Sequence, residues 1–215
     1  STFVFYKNCA AARAAGAAVL RAESGEVDAG GGRAEGSRGS SARHRVPLRH
    51  QNEQVVAGQL VHHETLGRLL ERAHSTARIL DVKYHVLLPE EGRVGGPLDY
   101  YQWTSILRSV SALTAYHWVY RETLKPWLIA DLLILNDTLP RSLASCYSNL
   151  VRNLDQIGVA YGRQGASQRH ARGVRNRLEH SHMDDIFQHG VHEFIQEFIE
   201  DNSRLGEIIT KQYLI

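Results

Sequence analysis

The stretch that decides the fold is residues 66–82, which read LGRLLERAHSTARILDV. Apolar side chains recur in it at spacings of three and four residues, and the pattern continues as far as Leu87. This repeat is typical of one buried face of an α-helix. The members of the stripe are Leu66, Leu69, Leu70, Ala73, Ala77, Leu80, Tyr84 and Leu87. The stretch therefore predicts a long amphipathic helix that starts near Glu64 and ends before Pro89.

Similar stripes follow throughout the rest of the chain. They predict helices over about 99–120, 126–135, 140–158 and 168–178, and a last helix from 183 onward with a bend near Asn202. No segment shows the alternating pattern of β-branched residues that is typical of strands. The sequence therefore predicts an all-α fold, a bundle of five or six helices over residues 61–215, with no sheet.

Residues 1–60 have a different character. Between Arg21 and Gln54 the only large apolar residues are Val27, Val46 and Leu48. Such a composition cannot bury enough surface to offset the entropy of ordering, so we expect a poorly ordered, low-complexity N-terminal extension. One possible DNA sequence that encodes residues 55–59 would, if translated one base earlier, encode Trp-Trp-Leu-Val. That apolar sequence would suit a core helix. Residues 1–60 are therefore also interpreted as an out-of-frame or truncated segment.

Composition and charge exclude several classes of protein. A hydrophobic share of 43% with 22% charged residues is typical of a globular domain. Lys and Arg number 25 against 23 Asp and Glu, and a net charge of +2 creates no field that would attract nucleic acid or an acidic membrane. The longest apolar run, Trp127–Leu135, is too short to span a membrane. Cys9 and Cys146 cannot form a disulfide framework, so we expect a reduced, cytoplasmic protein.

Charged residues within the deciding stretch are the candidate site. Glu71 and Arg78 lie two turns apart on one helix face, and Asp81 follows one turn later. A carboxylate and a guanidinium on one face either bind a polar ligand or pair with each other between helices. We predict a paired layer in which Glu71→Ala would cost several kcal/mol, with a ligand site as the alternative. The candidates for the network or the site are Glu71, Arg72, Arg78, Asp81, Arg141, His192 and Glu193.

Metal, cofactor and nucleophile patterns are weak. Histidines and aspartates cluster over residues 180–192, but their spacing matches no known zinc motif. Cys146 lies on an apolar stripe, where a buried and inert thiol is expected. No glycine-rich phosphate loop follows a strand. The sequence therefore predicts no metal, no cofactor and no nucleophile–base pair.

Five segments together resemble a known family. Residues 66–82, 95–103 (GGPLDYYQW), 140–143 (PRSL), 184–188 (DDIFQ) and 192–194 (HEF) are similar to the signature of the bacterial alpha-E domain family, all-helical proteins named for a Glu-Arg motif. The resemblance covers about residues 64–215, and residues 1–60 depart from it. It implies a helical bundle encoded beside circularly permuted ATP-grasp proteins and transglutaminase-like proteases, in a system that makes or trims peptide bonds.

Two functions follow from the resemblance and the residues. The first is a non-catalytic helical partner or accessory domain of an ATP-grasp-type ligase and a transglutaminase-like protease. The second is an enzyme or small-molecule-binding protein with a polar site inside the bundle around the Glu-Arg motif. Inward-facing charges around an open cavity would favour the second, whereas a sealed core with exposed apolar side chains would favour the first.

Overall fold

The computed structural model describes residues 48–85, 96–162 and 164–214, and the side chains of 63–84, 96–162 and 164–213. These residues form helices and no strand, so the predicted all-α class is confirmed. The expectations for residues 1–47 lie outside the described residues. In chain order the helices are α1 Leu48–His85, α2 Pro97–Ser109, α3 Leu113–Tyr120, α4 Pro126–Ile134, α5 Leu143–Ala160, α6 Ala166–His180, α7 Met183–His189 and α8 Val191–Ile209, followed by a π-helical turn, Thr210–Leu214.

The described residues thus contain eight helices, whereas the sequence predicted five or six. Two predicted helices are each divided by one residue with a positive φ. Ser111, at φ +55°, separates α2 from α3, and Gly190, at φ +111°, separates α7 from α8. Buried Val110 and Ala112 stand on either side of Ser111, so the apolar stripe continues across the break. The spacing of apolar residues therefore gives no sign that the helix ends there. α8 continues as one helix through Asn202, near which the sequence predicted a bend.

Helix α1 is the centre of the bundle. It packs against α5 and α8, and α6 in turn packs against the same two helices. The apolar stripe predicted for residues 66–80 is buried as expected, with most members fully enclosed. α1 begins at Leu48, within the segment whose composition predicts poor order. The apolar face of the second half of α1 is therefore covered by the rest of the fold, while Arg68, Glu71, Ser75 and Arg78 lie on its exposed face.

The ends of several helices follow from local sequence. Pro97 and Pro126 stand in the first turns of α2 and α4, where proline removes no hydrogen bond that the helix would make. The N-cap of α5 is Ser142, whose hydroxyl accepts a hydrogen bond from the backbone N–H of Ser145 at 3.0 Å. The Ser142 cap fixes the start of α5 directly after residues 140–141, the segment that α1 contacts in the candidate site.

The C-terminal turn is tied to the bundle by one buried amide. Gln168 Nε2 donates to the Leu154 carbonyl at 2.9 Å and to the Tyr213 hydroxyl at 2.6 Å, and its Oε1 accepts from the Gly165 N–H at 2.8 Å. Every polar atom of this side chain is thus satisfied, as a buried amide requires. None of the helices in the described ranges combines the length and apolar character that crossing a bilayer needs.

Candidate functional site

Two side chains of α1 hold the turn that leads into α5. Arg72 Nη1 donates to the Pro140 carbonyl at 3.4 Å, and Thr76 Oγ1 donates to the Arg141 carbonyl at 2.9 Å. Arg72 and Thr76 are one helical turn apart, so both reach the same short segment. Thr76 is buried, whereas Arg72 is half-buried. The Glu-Arg stretch and the segment 140–143, distant in sequence, are therefore in contact.

Asp81 joins α1 to α8. Its Oδ1 accepts hydrogen bonds from His192 Nδ1 at 2.7 Å and from Gln196 Nε2 at 2.8 Å. Its Oδ2 lies 3.5 Å from the guanidinium of Arg78. The carboxylate is largely buried, and His192 is partly exposed. The predicted candidates Arg78, Asp81 and His192 are thus brought together, and Gln196 is a fourth member that spacing did not identify.

Lys83 joins α1 to α2. Its Nζ lies 2.6 Å from Asp99 Oδ1 and 2.7 Å from Gln102 Oε1, and it stands 5.1 Å from the centre of the Trp103 ring. The Lys83 and Asp99 side chains are only 3% and 7% exposed. A buried ammonium with two oxygen partners and an aromatic face is well compensated. This contact is therefore an internal ion pair that leaves little of either charge accessible to solvent.

Sequence reasoning missed the Lys83–Asp99 pair, although a signal was present. Lys83 follows Leu80 by three residues and precedes Leu87 by four, so it falls on the apolar stripe of α1. A lysine on a buried face requires a carboxylate partner. The partner is Asp99 of the segment 95–103, and only the fold shows that this acid of the chain is the one that reaches Lys83.

The other candidates occupy the surface. Glu71 and Arg141 are exposed, and neither side chain makes a hydrogen bond or ion pair with the described residues. Glu193 is exposed near the start of α8, where its carboxylate covers Gly190 so closely that a Cβ there would lie 1.9 Å from Oε2. The structure therefore does not bring Glu71 into the expected paired layer, because position 71 lies on the solvent side of α1. Arg72 bonds a carbonyl rather than a carboxylate.

Cys146 lies beneath the Arg72–Pro140 contact. It is buried, and its Sγ is 3.6 Å from the Pro140 carbonyl oxygen. Burial raises the pKa of the thiol to about 12, although the positive charges of Arg72 and Arg141 act to lower it. The thiolate is the reactive form of cysteine, so this thiol is held in its unreactive form.

We expect Cys146 to be protected from thiol reagents in the folded protein. In a Cys9→Ser chain, where Cys146 is the sole thiol, the reaction at pH 8 should be at least ~1000-fold slower than that of free cysteine, whose pKa is about 8.5. Absorbance of a thiol-specific disulfide reagent measures the rate, and unfolding in guanidinium chloride serves as the control that releases full reactivity. Rapid reaction without denaturant would contradict the buried position.

The histidine and aspartate cluster of residues 180–192 does not converge. His180, His182, Asp184 and Asp185 are exposed, and His189 Nε2 lies 3.9 Å from Glu197 Oε1. Within 63–84, 96–162 and 164–213, no three His, Cys, Asp or Glu side chains are placed to hold a metal ion. The sequence-predicted candidates that do meet are Arg78, Asp81 and His192.

Comparison with known proteins gives one match. The model of the Alpha-E family, described as a predicted alpha-helical domain with a conserved ER motif, matches residues 51–214. No curated protein and no solved structure matches the chain. The match begins 15 residues before Leu66 and includes all three contacts of α1 described above.

Proposed function

The chain belongs to the Alpha-E family, and we propose that it acts as a non-catalytic helical partner of an ATP-grasp-type ligase or a transglutaminase-like protease. One observation carries the proposal, which is the position of Glu71. The family is described by a conserved ER motif, and residues 71–72 are the only Glu-Arg pair in the chain. The two residues of this motif have different environments.

Arg72 has a role within the fold, whereas Glu71 has none that its contacts reveal. Arg72 bonds the Pro140 carbonyl, but Glu71 is exposed and bonds no described side chain. The neighbouring arginines have other partners, because Arg68 pairs with Glu64 at 2.6 Å and Arg78 approaches Asp81. A conserved polar residue that the fold does not use is typical of a contact with another molecule. Glu71 lies on an exposed helix face, and small-molecule sites are usually concave, so a protein surface is the better occupant.

The distribution of charged and apolar side chains supports a partner rather than an internal site. The buried charges Asp81, Lys83 and Asp99 all bond groups of the chain itself. In contrast, Leu98, Tyr101 and Trp118 are 71%, 70% and 76% exposed. Large aromatic side chains are frequent anchors of protein interfaces. These buried charges are thus paired within the fold, while the exposed side of α2 and α3 carries residues suited to contact another protein.

We expect Glu71→Ala to weaken the complex without weakening the fold. Because Glu71 is exposed and unpaired, the free energy of unfolding should change by less than about 0.5 kcal/mol. The dissociation constant of the complex should rise at least about tenfold, a loss of ~1.4 kcal/mol of binding. The experiment is affinity capture of the full-length chain from its native host, followed by titration with the ATP-grasp-type or transglutaminase-like protein that co-purifies.

Glu200→Ala is the matched control, since Glu200 is an exposed glutamate on α8 without a partner among the described side chains. It should change neither stability nor binding. Failure of both proteins to co-purify, together with turnover of a metabolite by the chain alone, would contradict the partner role. A loss of several kcal/mol of stability in Glu71→Ala would instead show that Glu71 belongs to the fold.

A further inference from the structure

One face of α2 is exposed along the length of the helix. Leu98, Tyr101, Ser105 and Arg108 follow one another at spacings of three and four residues, which places them on one side of the helix. Leu98 and Tyr101 are 71% and 70% exposed, and Ser105 and Arg108 are exposed as well. At 1.5 Å per residue, the four side chains cover about 15 Å of the helix axis. They are called the exposed α2 face below.

The opposite side of α2 holds this face in place. Trp103 is buried in the core, and Asp99 forms the buried ion pair with Lys83 at 2.6 Å. Within the exposed α2 face, the Ser105 hydroxyl donates to the Tyr101 carbonyl at 2.9 Å, so its donor is already in use. Side chains on an anchored helix lose less entropy when they bind than side chains on a mobile loop. The face is therefore prepared for a binding partner.

The only charge on the exposed α2 face is positive. Arg108 has no Asp or Glu oxygen within 4 Å among the described residues, and its side chain bonds none of them. Asp99 is the one acid of α2, and it is buried and paired. The negative end of the helix is moderated as well, because the carbonyls of residues 106–108 accept from the N–H groups of residues 110–112. The Arg108 guanidinium is thus an uncompensated cation beside apolar side chains.

We propose that the exposed α2 face binds an acidic amphipathic segment of the partner protein, an inference that rests on the proposed function and names the chemistry of that partner. Leu98 and Tyr101 supply apolar and aromatic area, which anchors protein interfaces. Arg108 follows Tyr101 by seven residues, about 10 Å along the helix. Its guanidinium matches the two-oxygen geometry of a carboxylate. The segment therefore presents apolar side chains at one end and an Asp or Glu at the other.

The charges favour a partner protein over a second copy of this chain. In a symmetric contact the same face meets itself, so Arg108 would meet only the members of the exposed α2 face, none of which is an acid. Glu71 of α1, on which the proposed function rests, requires a cation on the partner, and it forms no ion pair with Arg108 among the described contacts. The partner surface therefore carries both signs of charge, with its acid beside the apolar groups that meet α2.

The test measures binding of the full-length chain to the purified ATP-grasp-type or transglutaminase-like protein that co-purifies with it. Tyr101→Ala should raise the dissociation constant at least about tenfold, because it removes an aromatic anchor. Arg108→Glu should also raise it at least about tenfold, because it places an acid against an acid. Arg108→Gln should make the salt dependence of binding shallower, whereas Tyr101→Ala should leave that dependence unchanged.

Matched controls come from α5. Val159 is 80% exposed, and Arg152 is an exposed arginine that bonds only Asn149 of its own helix. Val159→Ala, Arg152→Gln and Arg152→Glu should leave the dissociation constant unchanged. Thermal unfolding of free Tyr101→Ala should match the parent chain, because Tyr101 lies largely in solvent. A marked loss of stability in that variant would show that the chain itself covers the face and would overturn the inference.

The outcomes separate this inference from the proposed function. A complex that forms normally and responds to Tyr101→Ala and Arg108→Glu no more than to the controls would overturn the inference while leaving the partner role intact. A response to Tyr101→Ala with none to Arg108→Glu would overturn the acidic occupant. A dimer of the free chain that Tyr101→Ala dissociates would assign the face to a second copy and would also overturn the inference. Absence of any complex would overturn the partner role, and the inference with it.

Discussion

Replacing Lys83 or Asp99 with alanine is expected to lower the free energy of unfolding by about 3–5 kcal/mol. Each substitution removes the opposite charge from an ion that stays buried, at a position only 3% or 7% exposed. The cost of an uncompensated buried charge exceeds the value of the pair itself, because the remaining ion can no longer recover its lost hydration. Denaturant unfolding followed by circular dichroism measures the change.

The double variant Lys83→Met/Asp99→Leu is the control for this prediction. It removes both charges and fills a similar volume with apolar atoms, so most of the lost stability should return. Gln102, which loses a donor in the double variant, is half-buried and can bond water instead. Single variants that lose less than about 1 kcal/mol would show that water reaches the pair and that it behaves as a surface salt bridge.

The fold class could be predicted because the deciding information is local. The spacing of Leu66, Leu70, Ala73, Ala77 and Leu80 identifies one buried helix face directly, and all five are fully enclosed in the structure. The apolar pattern records which face is buried, and it does so whether or not the backbone is continuous. The number of helices could not be predicted in the same way, because the breaks depend on single backbone conformations that the pattern does not record.

Ser111 and Gly190 illustrate two kinds of missed break. Gly190 adopts φ +111° at little cost because it has no Cβ, so a glycine between two apolar runs is at least a signal. Ser111 adopts φ +55° as the left-handed residue of a helix C-cap, a place more often taken by glycine. Its N–H donates to the Arg108 carbonyl at 3.0 Å and the Ala112 N–H donates to the Leu107 carbonyl at 2.7 Å, so the break is a local cap without the glycine that would signal it.

The candidate site was predicted in part. The residues of α1 were identified because they lie within one short stretch, where helix geometry relates them. Asp81 and His192 are 111 positions apart, and Thr76 and Arg141 are 65 apart, so no periodicity relates them. Glu71 shares the exposed face of α1 with Arg68, Ser75 and Arg78, away from the apolar stripe. The stripe itself therefore indicates that Glu71 faces solvent, and the expectation of a paired Glu71 between helices failed because it did not use that information.

Asn202, near which the sequence predicted a bend, gives the second large effect. It is fully buried within α8, where its Nδ2 donates to the Leu70 carbonyl at 3.1 Å and its Oδ1 accepts from the Tyr147 hydroxyl at 3.1 Å. It thus connects α8 to α1 and α5 simultaneously. Gly206, one turn later, lies against Leu70 and has no side chain to separate the two helices.

Asn202→Ala should therefore cost about 2–4 kcal/mol in the free energy of unfolding, since it leaves the buried Tyr147 hydroxyl without an acceptor and opens a cavity. The double variant Tyr147→Phe/Asn202→Leu removes the donor and the acceptor together, so it should recover much of that loss. Equilibrium unfolding of Tyr147→Phe, Asn202→Leu and the double variant measures the coupling between the residues. Equal losses in Asn202→Ala and in the double variant would contradict the role of the hydrogen bond and would leave packing volume as the whole effect. A coupling above about 1 kcal/mol would show that this asparagine is retained in α8 for the polar contact that joins three helices.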